Sequence, residues 1–256
     1  MRTPSLSLKF NLAVSLIWGV VFIAWAIALL TNIFAHIHWL DYNSLIESNH
    51  YSLGLKLFLF LLSWQVMIVG MMLPSSLPLV QLFALMSQKQ SEKTFSVALL
   101  VLLLGYLTVW TGFALAAFWS ALGLNFLFLD FPLLEEYPEI ISSASLFLAG
   151  IFQFSKLKER CLKVCRHPVS FLHHHYQQGL KAAWHLGLNH GLYCLGCCWA
   201  LMLVMFATGV GHLAVMLLLG AVMVIEKTSH WGQKFVPIVG VGFILWAIGI
   251  IIYYSV

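Results

Sequence analysis

The chain has 256 residues, of which 61% are hydrophobic and only 9% charged, with a formal net charge of +4. Soluble domains carry about 25% charged and about 45–50% apolar residues, so this composition excludes a water-facing surface over this length. The cations form no stripe that would read nucleic acid, and the five cysteines, an odd number with three inside one apolar run, exclude the even framework of a secreted disulfide scaffold.

Seven apolar segments are candidates for the roughly 20-residue helices that cross a bilayer. The first covers about Asn11–Ile33 and follows a short polar lead with Arg2 and Lys9. No small-residue cleavage site interrupts Ile17–Asn32, so it reads as an uncleaved helix. The second starts near Gly54 and runs into Pro74 and Pro78, which remove backbone donors and predict a kink or break. Irregular backbone at membrane depth is tolerated only where it is buried in protein or lines a cavity, and Ser75 and Ser76 are placed to satisfy the freed carbonyls. The third covers about Phe95–Leu122, the fourth Ile140–Phe154 and the fifth Leu186–Phe206. The sixth, His212–Ile225, is short for a full crossing. The seventh, Phe235–Tyr254, carries Gly240, Gly242 and Gly249, which permit close helix packing. The expected fold is all-α: a single polytopic transmembrane helix bundle over residues 1–256, with a proline-broken second span and a basic cytoplasmic insertion at Lys156–Trp184.

Orientation follows from the positions of lysine and arginine. Arg2 and Lys9, then Lys89 and Lys93, then Lys156, Lys158, Arg160, Lys163, Arg166 and Lys181, then Lys227 and Lys234 fall on one side of a seven-span chain. Asp41 and Glu47, then Asp130, Glu135, Glu136 and Glu139, fall on the other. The expectation is a bacterial inner membrane protein with its N-terminus inside and its C-terminus outside.

The run HLGLNHGLYCLGCCWALMLVMF, His185–Phe206, carries the most chemistry. Helical spacing puts His190, Cys194, Cys197, Cys198, Leu201 and Met205 on one stripe, with Gly187 and Gly191 beside it. Thiols on consecutive turns of one face can converge on a metal, and thiolate and thioether are soft ligands that favour Cu(I), with zinc possible for thiolate. Against this stands the ordinary behaviour of cysteine as a small buried hydrophobe. Met67 and Met71 form an i, i+4 pair in the second span, on the face of Pro74. At 1.5 Å per residue Met71 lies about 25 Å along a span running inward and Cys194 about 12 Å along one running outward, so the two soft-donor clusters share a depth. Cys161 and Cys165 form a C-x-x-x-C pair among Lys158, Arg160, Lys163 and Arg166, cations that favour thiolate. Glu226 and Lys227 close the sixth span and read as a headgroup-level anchor, since an unpaired acid inside a membrane is costly. His173, His174 and His175 are either a short metal-binding tract or a solvated loop. His36, His38, His50, His212 and His230 are too scattered to assign.

These pieces carry a family resemblance. M-x-x-x-M-M-L-P at Met67–Pro74 with Pro78, C-L-x-x-C-R-x-P at Cys161–Pro168, G-L-Y-C-L-G-C-C-W-A-L-M at Gly191–Met202, and Glu226–Lys227 resemble the bacterial family of predicted metal-binding integral membrane proteins, sometimes labelled copper chaperone. The resemblance runs from about Leu55 to the C-terminus and implies a multi-helix membrane protein that binds copper or a similar soft metal. Gly209–Val210–Gly211 departs from it, standing where Gly-x-Met is expected.

The reading that follows is a non-enzymatic, membrane-embedded protein that holds or relays Cu(I) and exchanges it with a metal-donating or metal-accepting protein. Cys194, Cys197 and Cys198 are the expected core ligands, His190, Met67 and Met71 complete the site, and Cys161 and Cys165 pass the ion at the inner face. The alternative is a membrane thiol–disulfide oxidoreductase using the Cys194–Cys198 group. It predicts a disulfide, and a leftover odd cysteine counts against it. Metal identity, the partner and the oligomeric state are open at the level of sequence.

Overall fold

A bilayer core has no water to satisfy backbone groups, so apolar segments of this length must close their hydrogen bonds internally as helix. The computed structural model describes residues 4–33, 52–87, 91–129, 138–208 and 213–255, and every regular element among them is an α-helix. In chain order these are α1 (Pro4–Ile33), α2 (Leu53–Met86), α3 (Glu92–Leu129), α4 (Pro138–Phe152), α5 (Lys156–Arg166), α6 (Pro168–His175), α7 (Leu180–Thr208), α8 (Leu213–Thr228) and α9 (Gly232–Ser255). Five of them, α1, α2, α3, α7 and α9, are long and apolar enough to cross a membrane, and α4 with α5 makes a sixth only if the pair, bent by 66°, counts as one. The expected sixth span is α8, whose 16 residues reach only about 24 Å, so seven spans are not established by length. His36, His38, His50, His212, Gly209–Gly211, Asp41, Glu47, Lys89, Asp130, Glu135 and Glu136 lie outside the described residues.

The expected break in the second span does not occur: α2 continues through both Pro74 and Pro78. Pro74 lacks the N–H that would bond the Gly70 carbonyl one turn earlier. Trp25 of α1 replaces it, donating its indole Nε1–H to Gly70 O at 3.3 Å. Ser75 and Ser76 do not meet the freed carbonyls: their hydroxyls donate to the Met72 carbonyl at 2.8 and 3.3 Å, which neither proline frees. At Pro74 the helix is thus supported by a donor from outside it.

Small residues set the closest helix contacts. A Cβ on Gly105 of α3 would stand 2.6 Å from the Trp184 carbonyl oxygen of α7, and one on Gly187 would collide with the Leu102 carbonyl oxygen of α3. A Cβ on Gly191 would meet Val109 at 3.0 Å. Gly240 of α9 likewise seats α4, where a Cβ would fall 2.9 Å from that of Gln153. Gly242 and Gly249 have nothing within 4 Å, so among the described residues only Gly240 of the expected trio makes a close contact. Around these seams α1 packs on α2, α4 on α9 and α7, α5 on α7, and α8 on α2. Ser155 caps the start of α5, accepting a hydrogen bond from Lys158 N at 3.1 Å. Within Lys156–Trp184, Lys158, Cys161, Leu162, Phe171 and Leu172 are all buried against the helices around them.

Candidate functional site

The thiols of α7 lie at the centre of the larger core. Cys194, Cys197 and Cys198 are 0%, 1% and 1% exposed. Cys197 Sγ and Cys198 Sγ stand 3.1 and 2.8 Å from the Cys194 carbonyl oxygen, as i+3 and i+4 thiols on a helix can. Cys194 Sγ itself faces outward from its helix to the Tyr106 hydroxyl of α3 at 3.1 Å. Cys198 Sγ also lies 4.0 Å from Met72 Sδ of α2, a methionine in a long buried run. One turn earlier, His190 Nε2 meets Ser76 Oγ of α2 at 3.2 Å, and its ring stacks on Tyr106 at 5.6 Å. The methionine–proline piece and the cysteine piece therefore do meet, through the residues beside the prolines.

The basic helix α5 brings a fourth thiol. Cys165 is half-buried and faces Cys197. Cys161 packs over Gly196 of α7, where its Sγ would lie 2.6 Å from an added Cβ, so glycine at that position is what lets α5 approach. The neighbouring cations do not serve the thiols as expected. Lys158 is fully buried and its Nζ bonds Glu226 Oε2 at 2.6 Å. Arg166 donates to the backbone carbonyls of Glu226, Ser229 (2.8 Å) and His230 (3.4 Å).

Glu226 and Lys227 are not a headgroup anchor. Both are buried, because α8 packs its C-terminal turns against α5 and α7. They point apart: Glu226 takes Lys158, while Lys227 Nζ donates to Cys194 Sγ at 3.0 Å and to Ser75 Oγ at 3.2 Å. Gln153 lies beside Glu226, but neither its amide nor Glu226 Oε1 reaches hydrogen-bond geometry. Lys227 thus places a buried ammonium against a thiol, and it interacts electrostatically with Cys165, Cys194, Cys197 and Cys198 together.

A family model described as PpoB2, copper chaperone, matches residues 61–250. The chain belongs to that family. The matched region holds all four grouped thiols, Met72, His190 and Lys227, so every part of the cluster falls within the copper chaperone region. No curated protein and no solved structure matches the chain.

Within this family member the expected donors divide into two sets. Cys194, Cys197, Cys198 and Cys165 come together, with His190 one turn away behind Ser76. Met67 and Met71 are buried in the same core, but Met71 packs on Gly220 of α8, and the thioether recorded against a thiol is that of Met72. Among the described residues no three His, Cys, Asp or Glu side chains converge on one point, so the stripe on α7 does not by itself form a coordination shell. The donor chemistry still suits a soft ion, with four thiols and one thioether in a dry surround. For ligation, Cys197 and Cys198 must turn away from the Cys194 carbonyl. All five cysteines are free thiols, and nothing supports the oxidoreductase alternative. Sequence reasoning missed Met72, Tyr106 and Lys227. The only signal for Met72 was the second sulfur of the Met71–Met72 pair, and for Lys227 a charge at the end of an apolar run.

Proposed function

We propose that this copper chaperone family member is a multi-pass bacterial inner membrane protein that holds Cu(I) on a buried thiol group and hands it to or takes it from a partner. The observation that carries the reading is the buried ammonium of Lys227 set against Cys194 beside three further thiols. A buried cation needs a compensating anion, and a monovalent soft ion held by two thiolates is an anion of charge −1. Lys227 balances that charge without water. Cys194, Cys197 and Cys198 are the proposed ligands, two of them as thiolates and the third as a neutral thiol, Met72 and His190 complete the set, and Cys165 passes the ion between α5 and α7.

Membrane residence is supported by the outward faces of the long helices, where Phe22, Ile23, Phe58, Ile238, Leu245 and Ile251 are each more than half exposed. Soluble monomers rarely expose contiguous apolar patches of more than a few hundred Å², and lipid tails would cover this belt. The arginines and lysines of the first and third inner segments support an inside N-terminus. With α8 crossing as a short span, the C-terminus lies outside.

Purified in detergent with reductant, the wild-type protein is expected to carry near-stoichiometric copper by elemental analysis, and the Cys197→Ser/Cys198→Ser variant none. Unchanged copper in the variant would sink the assignment of these thiols.

A further inference from the structure

A cleft of about 690 Å³ opens beside the thiol group, lined among others by Lys163, Arg166 and His167 of the α5–α6 corner, His173 and His174 of α6, and Tyr193 of α7. Its volume is that of a small-molecule site, which typically spans about 300–1,000 Å³. Lys163, His167, His173 and His174 are exposed, and the two adjacent imidazoles stand edge to face at 5.5 Å. Arg166 is committed to backbone carbonyls of α8 and the turn after it, so it holds the wall in place and adds its charge. Among the described residues no carboxylate lines the cleft.

Two of its lining residues, Phe171 and Tyr193, touch the surround of the buried site. Phe171 is buried, stacks on His175 at 4.6 Å, and lies 5.9 Å from both His190 and Tyr193. Val164 and Arg166, which line the cleft, flank the half-buried Cys165 in sequence. Tyr193, on the far wall, is the residue before Cys194. Lysine and arginine in the walls and imidazoles at the rim suit a ligand that is small and negatively charged.

We propose that this cleft is the loading site of the protein and receives Cu(I) as a complex with a small carboxylate-bearing thiol. This rests on the reading of the thiol group as a Cu(I) site and adds the chemical form in which the ion arrives. Lys163 and the imidazoles attract the carboxylates, and the ion passes to Cys165 and then to Cys197. Each transfer is a ligand exchange at constant oxidation state. Two carrier Cu–S bonds break, two Cu–S bonds to protein thiols form, and the two protein thiol protons pass to the released carrier thiolates.

The test compares copper uptake by reduced, detergent-solubilised protein from Cu(I)–glutathione, whose thiol carries carboxylates, and from Cu(I)–2-mercaptoethanol, whose thiol carries none. The Lys163→Gln/His173→Ala/His174→Ala variant changes only exposed side chains. Its uptake from the glutathione complex is expected to slow on the order of tenfold, the lower range for losing electrostatic steering. Uptake from the mercaptoethanol complex and the final copper content should match wild type. Equal rates in variant and wild type, or equal slowing with both donors, would overturn the loading site while leaving the thiol site standing. Wild-type protein that takes copper from neither donor would overturn the Cu(I) reading and the loading site together.

Discussion

Lys227 changes meaning most between chain and fold. As a letter after Glu226 at the end of an apolar run it suggests a residue reaching for headgroups. In the bundle its ammonium ends 3.0 Å from Cys194 Sγ and 3.2 Å from Ser75 Oγ. Burying a charge is costly unless it is paired, and the hydrogen-bond partners of Lys227 are a thiol and a hydroxyl rather than a carboxylate. Lys227→Met is therefore expected to leave the thermal stability of metal-free protein equal or higher, while weakening copper retention about tenfold or more, a loss of about 1.4 kcal/mol. Retention measured by competition with a Cu(I) chelator decides it: unchanged affinity would mean that the ammonium balances nothing. Met72 gives a milder companion test. Met72→Leu keeps the volume and should cost less than about 1.5 kcal/mol of stability, yet it removes the thioether 4.0 Å from Cys198. Copper held as tightly as before would remove Met72 from the donor set.

At the scale of the helix, α2 and α7 show how local chemistry preserves an element that sequence rules would interrupt. Pro74 takes one hydrogen bond from α2, and Trp25 of α1 meets the freed Gly70 carbonyl. Trp25→Phe keeps most of the apolar packing but leaves that carbonyl without its donor. The expected cost is about 1–3 kcal/mol, read as a lower unfolding temperature in detergent. No change would show that the indole bond contributes nothing to holding α2 straight. On α7, Gly187 sits where a side chain would run into the Leu102 carbonyl. Gly187→Ala should push α3 and α7 apart, a strain of about 1–3 kcal/mol for overpacking, and move Tyr106 away from Cys194. Unfolding temperature and copper content would fall together, and a drop in neither would contradict the tight seam.

Across the whole molecule, the ion pair of Lys158 and Glu226 ties α5 to α8 in the buried centre, at 2.6 Å. Removing one member leaves an uncompensated charge, which typically costs about 3–5 kcal/mol, whereas replacing both with apolar residues is often neutral. Lys158→Met is accordingly expected to destabilise strongly and Lys158→Met/Glu226→Met to recover most of the loss. A double variant as unstable as the single would mean that the pair does more than cancel two charges. The pair also explains why the tally of basic residues misleads locally. Lys158 counts as a cytoplasmic cation in the sequence, but the fold spends it on Glu226.

Composition and the length of the apolar runs were enough to determine an all-α chain with several helices capable of crossing a membrane, because the cost of unsatisfied backbone in an apolar medium leaves few other forms. Helical spacing was enough to put His190, Cys194, Cys197 and Cys198 on one stripe, and the quoted motifs were enough to suggest the copper chaperone family. What spacing along one helix cannot supply is the neighbour across the gap. The choice of Met72 over Met71, the arrival of Cys165 beside Cys197 and the burial of Lys227 depend on how α2, α5 and α8 are rotated and seated on α7. The glycine at residue 196 lets α5 approach α7, and those at residues 105 and 187 seat α3, which carries Tyr106, on it. Those distances are properties of pairs of helices, so only the tertiary structure decided them.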